Sequence, residues 1–404
     1  MKCIVQKYGG SSVADIDKIK LIADKIAKTK EEGYNIAVVV SAIGKTTNQL
    51  IEMARLISPD PPKRELDMLL STGERTTMAL LCIALHELGI EAVSLTGSQA
   101  GIVTNDAHND AKVIEVRPFR VQDEMEKGKV VVVGGFQGVS YRRDITTLGR
   151  GGSDTTAVAL AAALNAERCE IYSDVPGIYS ADPSIVAASE HLPEISYQQM
   201  QEMSLAGAKV MNAAAIQFAK ESNIAIYARS TFEPGKETII RRLPTGAPKG
   251  VRAVVSELEL VRIRLSSTTA EDSFKAALSF FSKNQISIKE LNYFINSGDN
   301  NNISFLISYS NIYGWEKIKK HLLDTFQGHI QIEENLSAIS IIGEGLTNGV
   351  DILNDTISYL EDNQIKIYGI ATTSFRLSFL VERERIKEAV ILCHKKWIEQ
   401  EFHI

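Results

Sequence analysis

The sequence predicts an α/β domain on a mostly parallel sheet, followed by two copies of a small α+β module. Three observations carry that expectation. Short apolar runs alternate with helically spaced segments through roughly the first 240 residues, as in a parallel sheet covered on both faces. The composition shifts after Arg241-Arg242, where Pro244, Gly246 and Pro248 punctuate the chain. Beyond that point two segments recur in the same order. Asn284-Gln285-Ile286-Ser287-Ile288 returns as Asn363-Gln364-Ile365-Lys366-Ile367, and Ile303-Ser304-Phe305-Leu306-Ile307 as Leu377-Ser378-Phe379-Leu380-Val381.

Taken in order, Cys3–Gln6 is predicted as a strand. Asp15–Lys30 is predicted as a helix from the spacing of Ile16, Ile19, Ile22, Ala23 and Ile26. Ile36–Val40 reads as a buried strand, Thr76–Leu88 as a helix, and Ala92–Leu95 and Val130–Val133 as strands, the last followed by Gly134-Gly135. Thr155–Ala166 reads as an Ala-rich helix and Glu170–Ser173 as a strand. Right-handed crossovers should connect the parallel strands. The expected boundaries are 1–242 for the first domain, 243–250 for a linker, and 251–335 and 336–404 for the two modules. The strand that opens the first module is equally readable as part of the second. Each module should run strand, helix, strand, strand, helix.

Composition excludes some classes of function. The 404 residues exceed one typical core. A formal net charge of -6 disfavours nucleic acid and anionic membrane as partners. No run of about 18 apolar residues occurs, so no membrane span is expected. Cys3, Cys82, Cys169 and Cys393 lie far apart without CxxC spacing, which predicts buried free thiols and a cytoplasmic protein. The seven histidines are too scattered for a zinc cluster.

Four segments have the composition of ligand-binding loops. Lys7-Tyr8-Gly9-Gly10-Ser11-Ser12 follows the first strand; its glycines admit close backbone approach and Lys7 brings a point charge suited to phosphate. A plain strand-to-helix turn explains it equally well. Ser41-Ala42-Ile43-Gly44-Lys45-Thr46-Thr47 tempts a P-loop assignment, but that motif needs glycine where Val39 stands. What remains is a hydroxyl-rich loop at the carboxyl end of a buried strand. Leu148-Gly149-Arg150-Gly151-Gly152-Ser153-Asp154 leads into a helix start, where N–H groups and the Arg150 fork favour an anion; Asp154 alone would pass as an N-cap. Ser173 to Pro183, turned by Pro176-Gly177, suits a nucleoside or a structural loop. Taken singly, Glu74 reads as a charge near a helix N-terminus and Lys209 as a solvated lysine.

Together these segments resemble the aspartokinase family of the amino acid kinase superfamily. The resemblance rests on Lys7 to Val13, Ser41 to Gly44, Gly73 to Arg75, Phe136-Gln137-Gly138, Gly149 to Asp154, and Ser173 to Pro183, in the family's order. It spans roughly residues 1–240, and six ordered motifs are more specific than any one. The duplicated remainder is similar to the family's tandem ACT modules. The resemblance implies an amino acid kinase-like sandwich followed by two ferredoxin-like ACT domains. It implies Mg²⁺-ATP-dependent phosphorylation of the L-aspartate side chain, the first step towards lysine, threonine and methionine. Lys7 and Asp154 would be catalytic, Asp154 organising lysines and Mg²⁺-bound water, with no direct protein ligand to the metal. Lys7, Gly9, Gly10, Ser173, Asp174, Tyr179, Asp182 and Lys209 would hold ATP. Ser41, Thr47, Glu74, Arg150, Gly152 and Ser153 would hold aspartate. Glu74 then matches the substrate's ammonium and Arg150 a carboxylate.

The chain departs from the family where ACT modules receive lysine or threonine at a Pro-Gly turn. Here stand Thr269-Ala270-Glu271-Asp272 and Asn348-Gly349-Val350-Asp351, and Tyr293-Phe294 replaces a Gln-Asn pair. Asp272 and Asp351 would repel an effector carboxylate at a helix start. The region of Asp272, Tyr293 and Asp351 therefore predicts weak feedback by either amino acid. A homodimer through the ACT modules is expected. Two rival readings stand beside this one: a kinase for glutamate, carbamate or uridylate, and a catalytically silent amino-acid sensor.

Overall fold

The computed structural model describes residues 2–149, 151–208, 210–233, 235–243, 250–267, 270–284, 286–294, 301–309, 312, 314–326 and 328–400. Arg150 and Lys209 lie outside the described residues, as does the side chain of Asp272. The chain divides into two compact units. The first comprises 1–178, 191–204 and 209–247, and the second 179–190, 205–208 and 248–404.

In chain order the elements up to the linker are β1 (Cys3–Tyr8), α1 (Ile16–Glu31), β2 (Asn35–Val40), α2 (Thr46–Ile57), α3 (Lys63–Glu87), β3 (Ala92–Leu95), β4 (Ile102–Thr104) and β5 (Val113–Val116). They continue with α4 (Phe119–Glu126), β6 (Val130–Gly134), β7 (Gln137–Ser140), β8 (Ile145–Thr147), α5 (Gly152–Ala163) and β9 (Arg168–Ser173). Then come β10 (Ile178–Tyr179), β11 (His191–Leu192), β12 (Glu194–Ser196), α6 (Tyr197–Leu205), α7 (Ala213–Ser222), β13 (Ile226–Ser230) and β14 (Glu237–Arg241).

The first unit is built on an eight-stranded sheet of order β12-β14-β13-β9-β1-β2-β6-β3. Only the β13–β14 pair is antiparallel. The central strands are apolar on both faces because both are covered. Ile4, Val38, Val40, Val130 and Val132 pack with Ile19, Ile22 and Ile26 of α1 and with Leu81 and Leu85 of α3. The other face of β1, β2 and β9 meets α5. A second, four-stranded sheet, β5-β4-β7-β8, was not legible in the sequence. Its strands are three or four residues long, too short for a period to show.

Two helix boundaries differ from expectation. The helix expected over Thr76–Leu88 begins at Lys63, so Gly73 and Glu74 lie inside it and not at its start. Gly73 serves close approach: a Cβ there would sit 2.8 Å from the Ala42 Cβ. The Ala-rich helix starts at Gly152, with Gly151 in the left-handed region as its N-cap, so Ser153 and Asp154 belong to its first turn. By length and apolar composition α3 is able to cross a membrane. It packs instead against α1, β3, β6 and β8 and buries Asp67 and Glu74, as a core helix does.

The second unit comprises β15 (Gly250–Ser267), α8 (Ala270–Lys283), β16 (Lys289–Phe294), β17 (Asn301–Ser308), α9 (Trp315–Thr325), β18 (Ile330–Glu344), α10 (Asp351–Asp362), β19 (Gly369–Thr373), β20 (Arg376–Glu382) and α11 (Ile386–His394). Its six strands form one antiparallel sheet, β16-β17-β15-β18-β20-β19. Two large cores lie on it, and Leu260, Leu306, Leu336, Ala338 and Leu380 form a smaller third cluster. Val261, Ile263 and Leu265 of β15 join Phe281, Phe305 and Leu322, whereas Val251 and Val254 of the same strand join Ile339, Phe379 and Val390. The long strand β15 therefore serves both cores. Residues 179–190 add to the second core through Ala181 and Val186. Ser180 Oγ lies 2.9 Å from His394 Nε2, and the Ser180 carbonyl accepts the Val254 N–H at 2.7 Å. All four cysteines are unpaired, and burial pushes the Cys82 and Cys393 thiols up to about 12.

Candidate active site

Adjacent parallel strands point the carboxyl ends of β9, β1, β2 and β6 the same way, so the loops that leave them converge. The loops are tied together by backbone. The Ser41 N–H donates to the Tyr8 carbonyl at 3.1 Å, the Gly44 N–H to Gly10 at 3.1 Å, and the Gly135 N–H to Val40 at 3.0 Å. Gly9 donates to the Tyr172 carbonyl at 3.3 Å. Its N–H, expected to cradle a phosphate, is thus already engaged; what Gly9 adds is space, since a Cβ there would lie 3.4 Å from Lys7 Nζ.

Strand alternation decides where Lys7 points. Its neighbours Gln6 and Tyr8 face a buried polar layer. There Glu170 accepts from Gln6 Nε2 at 2.9 Å and from Tyr172 Oη at 3.1 Å, and pairs with Arg168 and Arg229. Lys7 faces the opposite way, towards α5, and its Nζ lies 2.6 Å from Asp154 Oδ1. Both side chains are mostly buried. The family resemblance implies that Asp154 organises lysines, and the structure pairs it with Lys7 across a long stretch of chain.

Glu74 is the second charge in the crevice. Its Oε1 accepts the Ala42 N–H at 3.1 Å. Its Oε2 is buried and has no hydrogen-bond partner among the described residues. Burial pushes the carboxyl from 4.5 to about 7, against the pull of that N–H. Ser153 approaches from α5: a Cβ on Gly135 would lie 2.8 Å from Ser153 Oγ and 2.9 Å from Val39 Cγ1. The Gly152 and Asp154 N–H groups donate to the Gly149 and Gly151 carbonyls, which winds the helix start tightly.

The other predicted residues fall at varying distance from this group. Ser41 and Thr47 are half-buried, in the loop after β2 and in α2. Ser173 ends β9, and its hydroxyl and the backbone of Val175 close a local turn; Asp174 beside it is exposed. Tyr179 and Asp182 belong to the second unit. There the Asp182 carboxylate accepts the N–H and hydroxyl of Ser184, the ordinary work of a turn aspartate. Tyr293 is exposed and stacks on Phe274, and Asp351 is exposed in the first turn of α10. Sequence reasoning missed Asp67, His108 and Thr147, which meet just before Leu148 and Gly149. The one available signal was that Asp67 precedes Glu74 by two helical turns and so shares its face.

Comparison with known proteins places these features. Residues 2–230 match the amino acid kinase family. The chain is similar to an aspartokinase of Bacillus sp. (strain MGA3), at 38% identity over 98% of this chain and 97% of that protein. It is similar to an aspartokinase of Mycolicibacterium smegmatis at 39% identity, covering 98% and 96% of the two. Its backbone resembles E. coli aspartokinase III in complex with aspartate and ADP, with a TM-score of 0.81 and 24% identity over 98% of this chain and 99% of that one.

Proposed function

The chain belongs to the amino acid kinase family, among the aspartokinases, and we propose that the crevice at the ends of β9, β1, β2 and β6 is where it acts. It is an aspartate kinase: it transfers the γ-phosphoryl group of ATP to the side-chain carboxylate of L-aspartate. The observation that carries the assignment of the crevice is Glu74. A buried carboxylate with one oxygen held by an N–H and the other unsatisfied among the described residues asks for a cation. The ammonium of an amino acid meets that demand.

The chemistry needs no general base, because the aspartate side chain is ionised at neutral pH. The obstacle is to bring a carboxylate and a triphosphate together, which calls for fixed positive charge and aimed N–H groups. Lys7 supplies the charge, and Asp154 holds its ammonium in place. Gly10 supplies an N–H group, and Ser173, Asp174 and Lys209 complete the part of the nucleotide site that the first unit carries. Ser41, Thr47, Gly152, Ser153 and Arg150 complete the aspartate site. Mg²⁺, when bound with the triphosphate, would neutralise charge on the transferring group, and Asp154, beside Lys7, would accept from its bound water. A hydroxylamine assay with ATP and aspartate tests the reading, because an acyl phosphate yields the hydroxamate. No hydroxamate would leave the silent sensor standing, and hydroxamate from glutamate instead would point to a different kinase.

The regulatory reading follows from Asp351 and Asp272. Both stand in the first turn of a helix, where an effector carboxylate meets a like charge. Lysine and threonine are therefore weak effectors or none. The second unit pairs with a second copy of itself: β16 and β19 are edge strands and carry exposed Leu291, Tyr293 and Ile370. A light-scattering mass near one chain contradicts this. We place the protein in the cytoplasm, in keeping with its unpaired thiols; cell fractionation that finds it elsewhere overturns that.

A further inference from the structure

Three segments far apart in the sequence meet at one buried carboxylate. Asp67, in the first half of α3, is fully buried. Its Oδ1 accepts the Thr147 hydroxyl at 2.5 Å and the Asn109 N–H at 3.1 Å, and its Oδ2 lies 2.6 Å from His108 Nδ1. Burying a carboxylate is costly and raises its pKa, and these donors offset that cost. They also have a direction. Thr147 is the last residue of β8, and its carbonyl accepts the Ala111 N–H at 2.9 Å. Gly149 follows, so close to the 108–110 loop that a Cβ there would lie 2.9 Å from Asp110 Oδ1. The Gly149 carbonyl then takes the Gly152 N–H, at the start of the helix that carries Ser153 and Asp154. At the other end, α3 carries Glu74 on the same face, seven residues on from Asp67.

From this geometry we propose that Asp67 is a positioning residue for the aspartate pocket. Through Thr147, His108 and Asn109 it ties Leu148 and Gly149, and by the Gly149–Gly152 hydrogen bond the start of α5, to the helix that presents Glu74. The two walls of the pocket, one holding the ammonium and the other the carboxylates, are thereby kept at a fixed separation. The inference rests on the reading of the crevice as the aspartate site. Misplacing one wall weakens aspartate binding more than ATP binding, because Lys7 and the loop after β1, which meet the phosphates, are carried by β1 and not by that wall.

The test compares Asp67→Asn, Thr147→Val and Thr147→Ser by steady-state kinetics and thermal melting. Asp67→Asn turns an amide against donors and should raise KM for aspartate about tenfold, with KM for ATP within about twofold. Thr147→Val should raise KM for aspartate severalfold, and Thr147→Ser, which keeps the hydroxyl, should restore it. If Asp67→Asn does not fold, the Thr147 pair decides. Variants that melt earlier but keep the wild-type KM for aspartate overturn the inference and leave the network a purely structural one; so does an equal rise in both KM values. A wild-type chain without aspartate-dependent hydroxamate overturns instead the reading on which the inference rests.

Discussion

Replacing Glu74 by glutamine should make the free protein more stable and the enzyme worse, and both effects have a size and a pH range. In the folded chain the carboxyl is held at about 7 against an ordinary 4.5. That difference corresponds to about 3 kcal/mol of unfavourable burial of the charge. The folded state holds the proton more tightly than the unfolded one. Below the ordinary value both states are protonated and nothing is lost. As pH rises towards 7 the folded state loses stability, and above it the loss is complete. Glutamine keeps an oxygen for the Ala42 N–H but carries no charge. Glu74→Gln should therefore match the wild type near pH 4.5 and exceed it by up to about 3 kcal/mol near pH 8, read as a melting temperature higher by several degrees. With aspartate present the balance reverses, since the ammonium loses the charge of its buried partner. KM for aspartate should rise by about a hundredfold, the usual scale for removing one partner of a buried charged pair. In the wild type, kcat/KM for aspartate should climb about tenfold between about pH 6 and pH 8 as Glu74 ionises, then level off. Calorimetry of the free protein and initial rates across that range measure both. A glutamine variant with an unchanged KM for aspartate would refute the reasoning, as would a flat pH profile.

Other consequences follow from single contacts. Lys7→Met removes the charge beside Asp154 and should lower kcat by about 10²-fold or more with the fold intact by circular dichroism. Gly135→Ala forces a Cβ against Ser153 and Val39, and should cost about 1–3 kcal/mol by denaturant titration together with a loss of aspartate affinity. Millimolar lysine plus threonine should leave most of the activity in a coupled ATPase assay; strong inhibition contradicts the role given to Asp351 and Asp272.

Much of the fold was legible because the strands that build the parallel sheet are buried on both faces. Runs such as Ile36–Val40 and Val130–Val133 advertise that burial in their composition alone. The identity of the family was legible too, since six loop motifs stand in a fixed order along the chain. The α3 boundary was not. Gly73 lies inside that helix, and only the approach of Ala42 from the loop after β2 explains why a glycine is needed there. The same holds for the edges of the molecule: β4, β5, β7 and β8 exist because they pair with one another, and strands of three or four residues carry no period of their own.

At the site, the sequence by itself named the charged residues and their loops, because chemistry is a property of residue type. Beyond the link between Asp154 and the lysines that the resemblance implies, it did not say which charges meet. That Lys7 closes on Asp154, that Glu74 keeps an unsatisfied oxygen and titrates about 7, and that Asp67 gathers Thr147, His108 and Asn109 were decided by the tertiary structure. Pairing and burial depend on distances between segments that lie tens of residues apart. The energies of buried charges are set by those distances and by the exclusion of water, neither of which a linear pattern records.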